Sequence, residues 1–264
     1  MSLSKSKDIL TEVDESGLLV VTLNRPEKNN AMRLDMWREL GEIFSAVEKA
    51  VEVHGVILTG AGGNFCSGAD ISEFDDVRST PEQGMEYDRI NDEAVLAIRD
   101  CPKPVCAAIS GYAVGGGMSL ALACDFRVSE TTAKMGITAG RLGLVYSIMD
   151  CSLLMEKVGL TNSKRILMGS DIFDYKMAKS LGLVDFSAKE NALVSAREVL
   201  APMMRNAPLS QAGNKAILNA IAVGAQDVKR NELEQLISEA FDSEDYLEGR
   251  RAFKDRRQPN FKGY

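Results

Sequence analysis

A single histidine, His54, serves the whole 264-residue chain. That scarcity removes His-rich metal sites. It also undercuts the nearest approach to a nucleophile motif. Gly117-Met118-Ser119-Leu120-Ala121 approximates the G-x-S-x-G turn of α/β-hydrolases, with alanine in the last place. That fold draws its histidine from downstream of the serine, and no histidine follows Ser119. A conventional Ser-His-acid triad is therefore unsupported. C-x-x-C pairs are missing as well. The five cysteines (Cys66, Cys101, Cys106, Cys124, Cys151) are odd in number and mostly set in apolar surroundings. They read as reduced, buried thiols of a cytoplasmic protein rather than as a zinc ribbon or redox pair.

No apolar run approaches the ~20 residues that span a bilayer, and the opening MSLSKSKDIL lacks the apolar core of a signal peptide. A basic excess is absent too. Thirty-one Lys and Arg against 38 Asp and Glu leave a formal charge of -7. That argues against a general nucleic-acid binder, while a local basic patch can still serve an anionic small ligand. There is no GK[ST] phosphate loop. GAGGNF and GGGMSL carry Phe65 and Leu120 where the last glycine of a G-x-G-x-x-G fingerprint stands.

What is present reads as an ordinary soluble core of alternating elements. DILTEV and LLVVTLN are strand-like and joined by a turn at Gly17. Residues 33–50 place Leu34, Trp37, Leu40, Phe44 and Val47 on one helical face. VHGVILTG and KPVCAAIS are buried strands, and DFRVSE and AKMGI shorter ones. Thr80-Pro81-Glu82-Gln83 carries a capping-box pattern with proline at the first helical position, predicting a helix to about Asp100. Ser187-x-x-Glu190 is a second capping-box candidate, and the chain from about residue 150 reads as mostly helical. Asp125 and Arg127 read as a structural ion pair.

Two glycine-rich loops remain unexplained by nucleotide motifs, AGGNFCSGADI and GYAVGGGMS. Glycine permits positive φ and close main-chain approach. A glycine run entering a helix also presents unpaired N–H groups at the positive end of the helix dipole. Two loops offering one N–H each could polarise one carbonyl; both could equally be tight turns needed for packing.

These segments resemble the crotonase (enoyl-CoA hydratase/isomerase) superfamily. NFCSGADISEF is similar to its first oxyanion segment and AAISGYAVGGGMSLALACDFRVSE to its second. RPEKNNAM resembles the N-terminal loop, LGLV the lead into the active-site helix, and SEDYLEGRRAFKDRRQPNFKG the C-terminal helix and tail. The resemblance implies an α/β fold, a crotonase-like ββα spiral over residues 1–200 with the acyl-CoA site, and a C-terminal helical trimerisation region over 201–264. It implies a homotrimer or a hexamer built as a dimer of trimers. It implies that the N–H groups of Ala69 and Gly116 hold a thioester oxygen, and that CoA lies along Lys28 to Ala31 and Ser67 to Ile71, so that Lys28, Ala31, Ser67, Ala69, Asp70 and Ile71 contact it. No metal, and no cofactor beyond the CoA moiety of the substrate, is expected. The basic tail is a candidate contact for CoA phosphates in a neighbouring subunit, or simply a solvated helix end.

Departures from the family pattern bear on the reaction. Typical hydratases carry two glutamates that handle water and the proton, and by motif alignment these fall on Ser119 and Ala139. Alanine transfers no proton and neutral serine is a poor base, whereas general acid–base catalysis typically contributes ~10²–10⁴-fold. Tyr146 falls where the methylmalonyl-CoA decarboxylase branch has a tyrosine, but that branch has histidine at the place of Ala69. Asp150 stands where hydratases usually have glycine. It is either a relocated catalytic carboxylate or a first-turn acid complementing a helix dipole; Tyr146 is either a catalyst or a pocket wall. Ser119 reads as a small helix residue and Cys66 as inert packing. The expected function is chemistry on an acyl-CoA thioester through an enolate-like intermediate. The alternatives are decarboxylation on the same scaffold, or acyl-CoA binding with little turnover.

Overall fold

A computed structural model describes residues 3–264. The chain opens with a hairpin, β1 (Ile9–Val13) against β2 (Leu18–Leu23), closed where Gly17 takes φ +78° and donates to the Asp14 carbonyl at 3.0 Å. Then follow α1 (Leu34–Lys49), β3 (Gly55–Gly60), the short α2 (Phe74–Val77) and the long α3 (Pro81–Arg99). Next come β4 (Val105–Ile109), β5 (Tyr112–Val114), α4 (Gly116–Ala123), β6 (Phe126–Ser129) and β7 (Lys134–Gly136). The remainder is α5 (Ile148–Gly169), β8 (Ile172–Asp174), α6 (Tyr175–Leu181), β9 (Phe186–Ser187), α7 (Ala192–Leu200), α8 (Pro208–Ala222), α9 (Arg230–Asp242) and α10 (Glu244–Asp255).

The strands form two sheets. One runs β1-β2-β3-β4-β6-β9, with β1 antiparallel to β2 and every later pair parallel. The other runs β5-β7-β8. β3 and β4 are covered on both faces, which is why GVILTG and VCAAI read as continuous apolar runs rather than alternating ones. Helix α1 buries Met36, Trp37, Leu40, Ile43, Phe44 and Val47. It closes on α3 at Gly41, where an added Cβ would already sit 3.4 Å from Ala94 Cα. Trp37 is fully buried, and its indole N–H donates to Tyr87 Oη of α3 at 3.1 Å. The expected capping box at Thr80 and Gln83 forms in both directions.

Two local expectations are corrected. Asp125 and Arg127 do not pair with each other. Asp125 precedes β6 and turns to Lys215 of α8 at 2.8 Å, while the buried Arg127 pairs with Asp185, 2.5 Å away in the loop leading to β9. The cap of α7 is Asn191, whose carboxamide accepts from Leu193 and Val194; Ser187 lies in β9, its hydroxyl shared with Tyr175 and Lys179. Beyond residue 150 the chain is mostly helical as expected, with β8 and β9 as short additions to the two sheets. Among the described residues, no helix is long and apolar enough to cross a membrane.

Candidate active site

The site is built where the loop after β3 threads between two neighbours. On one side Met32 N donates to Gly68 O and Asp70 N to Met32 O, both at 2.8 Å. On the other, Cys66 N donates to Tyr112 O at 2.9 Å and Val114 N to Cys66 O at 3.0 Å. This ladder skips Ala69, whose N–H has no partner among the described residues. Beside it the chain turns at Gly115, with φ +56°, and α4 begins at Gly116. As the first residue of the helix, Gly116 carries an N–H without an intrahelical acceptor.

The three glycines have separate reasons. Gly115 supplies the positive φ. A Cβ on Gly116 would stand 3.0 Å from Trp37 Cζ2 and 3.6 Å from Ala69 N, so the two free N–H groups are near neighbours. A Cβ on Gly117 would meet the Cys66 carbonyl oxygen at 2.2 Å, which is overlap, so α4 packs on that loop only because residue 117 has no side chain.

In front of these amides lies a cavity of about 60 Å³. Ala69, Gly116 and Ser119 form one wall and Leu144, Val145, Tyr146, Ser147 and Asp150 another. Trp37, Arg78, Tyr87, Asp88 and Asn91 complete it. Asp150 sits in the first turn of α5, capped by Ser147, whose Oγ accepts from Asp150 N at 3.1 Å and donates to Asp92 Oδ1 at 2.8 Å. That cap fixes the carboxyl in the cavity wall. Asp150 Oδ1 and Ser119 Oγ are both buried with no hydrogen-bond partner among the described residues. Unpartnered buried polar atoms are uncommon in folded proteins, and they ask for an explanation.

Burial pushes the Asp150 carboxyl up to about 7; the adjacent Ser119 hydroxyl opposes this, while Asp92 and Asp88 add to it. Burial likewise raises the Tyr146 phenol above its ordinary value, with the Asp150 charge adding, so it is a neutral donor near pH 7. Cys66 is buried and its thiol is pushed up to about 12, which leaves it inert.

Sequence reasoning placed Ala69, Gly116, Tyr146 and Asp150, and all four line this cavity. Ala139, the second glutamate position of hydratases, does not line it, and of the expected CoA contacts only Ala69 does. Lys28, Ala31, Ser67, Asp70 and Ile71 instead lie along the two strands of chain behind Ala69, tied by Ser67 N to Asn29 O at 3.0 Å. The Asp70 carboxylate is occupied by Arg25, at 2.9 Å, and by Ser72. Its main chain is engaged too, the N–H by Met32 O at 2.8 Å and the carbonyl by Glu73 N at 3.2 Å. Sequence reasoning missed Arg78, Tyr87, Asp88 and Asn91. One signal was available, since Asn91 falls on the stripe of α3 that buries Tyr87, Ala94 and Ile98. Arg78 is brought in by the fold of α2 and had no signal.

A two-sheet spiral carrying paired main-chain donors at the mouth of a buried helix defines a crotonase fold. The chain belongs to the enoyl-CoA hydratase/isomerase family, whose model matches residues 13–264. It is similar to the (E)-benzylidenesuccinyl-CoA hydratase of Thauera aromatica, 32% identical over 92% of this chain and 94% of that one. It is similar to the 1,2-epoxyphenylacetyl-CoA isomerase of Escherichia coli, 29% identical over 97% and 98%. A crystal structure of an enoyl-CoA hydratase/isomerase family member from Hyphomonas neptunium superposes with a TM-score of 0.90 at 36% identity, covering 96% of this chain and 97% of that one.

Proposed function

We propose that the chain acts on an acyl-CoA thioester held with its carbonyl oxygen between the N–H groups of Ala69 and Gly116, and that Asp150 moves the proton. The observation that carries this is the convergence of two free amides and one unpartnered buried carboxyl on a single cavity. An enolate places negative charge on the thioester oxygen, where fixed donors in a water-poor site are worth most; losing one such donor costs roughly 3 kcal/mol in comparable sites.

The proton balance follows from the carboxyl. Ionised Asp150 takes a proton from a carbon adjacent to the carbonyl, and the C–H electron pair moves onto the thioester oxygen. The same carboxyl, now neutral, returns the proton. Because it is held up to about 7, both forms are populated near neutrality, the condition under which one group serves as acid and as base. Ser119 and Ala139, the two places where hydratases carry glutamate, contribute no carboxylate. The other lining carboxylate, Asp88, is paired with Arg78 at 2.6 Å. Tyr146 Oη comes to 3.9 Å of a Cβ built on Gly115, and so stands over the amide pair as a neutral donor. CoA runs outward along Lys28, Ala31, Ser67 and Ile71.

The test is hydrogen exchange. Incubation with a saturated acyl-CoA in D₂O should introduce deuterium beside the carbonyl, read by mass spectrometry. Asp150→Asn should slow exchange by about 10²–10⁴-fold. A wild type that binds CoA esters yet exchanges nothing would leave only the binding role. Prompt CO₂ release from malonyl-CoA with no exchange would move the reaction to decarboxylation, where enolate formation needs no base.

A further inference from the structure

The cavity holds more free polar groups than proton transfer uses. Arg78 caps α2 with its guanidinium 5.3 Å from the Phe74 ring centroid and 4.9 Å from that of Tyr87. Its side chain is 14% exposed, and one nitrogen, Nη2, donates to Asp88. Nε and Nη1 make no hydrogen bond among the described residues. Asn91, one turn further along α3 than Tyr87, is 9% exposed and its carboxamide is likewise without a partner. Both residues line the same cavity as Ala69 and Gly116. A hydrocarbon acyl chain would strand these donors away from water, at a cost of about 1–3 kcal/mol for each buried group left unpaired.

We infer that the acyl group taken by this cavity carries a carboxylate a few bonds beyond the thioester, gripped by the open edge of Arg78 and by the amide of Asn91. The inference rests on the acyl-CoA reading above and names the substrate class within it. The guanidinium is a planar fork whose geometry matches a carboxylate, and the flanking rings hold it flat and immobile before the ligand arrives. The small volume requires a short spacer.

Charge has to be accounted for. Asp88 neutralises one unit on Arg78, so the incoming anion adds a charge beside Asp150. Asp92, engaged by Ser147, is also near, as its effect on Asp150 shows. The arrangement holds because burial already favours the neutral form of Asp150, and a second anion nearby strengthens that preference. The neutral carboxyl therefore predominates as substrate binds, and the fraction that loses its proton is the form that acts as the base. An acyl group of positive charge would meet Arg78 head on, and a plain alkyl group would satisfy none of the donors.

Binding to the full-length protein tests this with matched esters. Malonyl-, succinyl- and glutaryl-CoA are each compared by calorimetry at pH 6.5 with the branched ester in which CH(CH₃)₂ replaces the carboxylate: isovaleryl-, 4-methylpentanoyl- and 5-methylhexanoyl-CoA. At least one carboxylate ester should bind about 10-fold or more tighter than its partner. Arg78→Met keeps the apolar stem between the rings and should erase that ratio, with the branched esters changed less than about 3-fold; Asn91→Ala should reduce it. Equal affinity within every pair, or a ratio that survives Arg78→Met, overturns the carboxylate inference while leaving the acyl-CoA reading intact. Failure of all six esters to bind overturns both.

Discussion

At the residue scale the decisive group is Asp150, whose burial sets both its chemistry and its cost. Held up to about 7 against an ordinary 3.8, its carboxyl binds a proton more tightly in the folded chain than in the unfolded one. The stability this confers is fully present below about pH 4 and is lost as pH rises through 7. Asp150→Asn keeps the shape and deletes the titration. Urea unfolding should therefore find the variant close to wild type at pH 4 and progressively more stable up to pH 8, with a ceiling of roughly 4 kcal/mol. A variant less stable than wild type at pH 8 would show that the ionised carboxylate is satisfied in the folded state. Residues of this kind divide by how they are encoded. Ala69 and Gly116 act through main chain, and the glycine pattern that lets the backbone approach was visible as GGG and CSGAD. Gly117, set against the Cys66 carbonyl, belongs to the same pattern. Asp150 was visible only as a carboxylate in an unusual place, and its partnerless state needed coordinates.

At the scale of elements, α3 links stability to the site. It starts at the Thr80–Gln83 box, and its inner face carries Tyr87 and Asn91, spaced by four residues, into the cavity. The box satisfies main-chain donors that would otherwise be left open at the helix start. Thr80→Ala should lower the unfolding free energy by about 1 kcal/mol, measured in urea, with little effect on ester affinity. A larger drop in affinity than in stability would mean that the first turn of α3 positions Arg78 directly. This helix start was legible because a capping box is a local signal. The start of α7 was misread at Ser187 because two candidate caps lie four residues apart, and the pairing of β9 with β6 decided between them. The Asp125–Arg127 pairing failed for the same reason. Nearness in sequence lost to Lys215 and Asp185, which only the packing of α8 and the β9 loop brings close. Arg78 belongs with these, since only the packing of α2 on α3 brings its guanidinium to Tyr87 and Asp88.

At the scale of the whole molecule, the alternation of strands and helices and the helical end followed from periodicity, while the division into two sheets did not. β5, β7 and β8 are three residues each, too short to show which neighbours they choose. The C-terminal helices carry a feature a single chain does not explain. α9 buries no residue, and Leu218, Ile221, Phe241 and Phe253 of α8, α9 and α10 are 65%, 53%, 59% and 89% exposed. The tail does not cover them, because it folds back on α10: Lys262 and Gly263 N–H groups donate to Asp245, and Arg257 forks onto Glu248 at 2.6 and 2.9 Å. Apolar side chains so open on neighbouring helices are the composition of an interface between copies. Light scattering should give a particle of three or six chains of 28.7 kDa. Leu218→Glu with Phe253→Glu should shift it toward the single chain while keeping the circular dichroism of the helices. A wild type that runs as a monomer at micromolar concentration would show instead that these faces stay open to water.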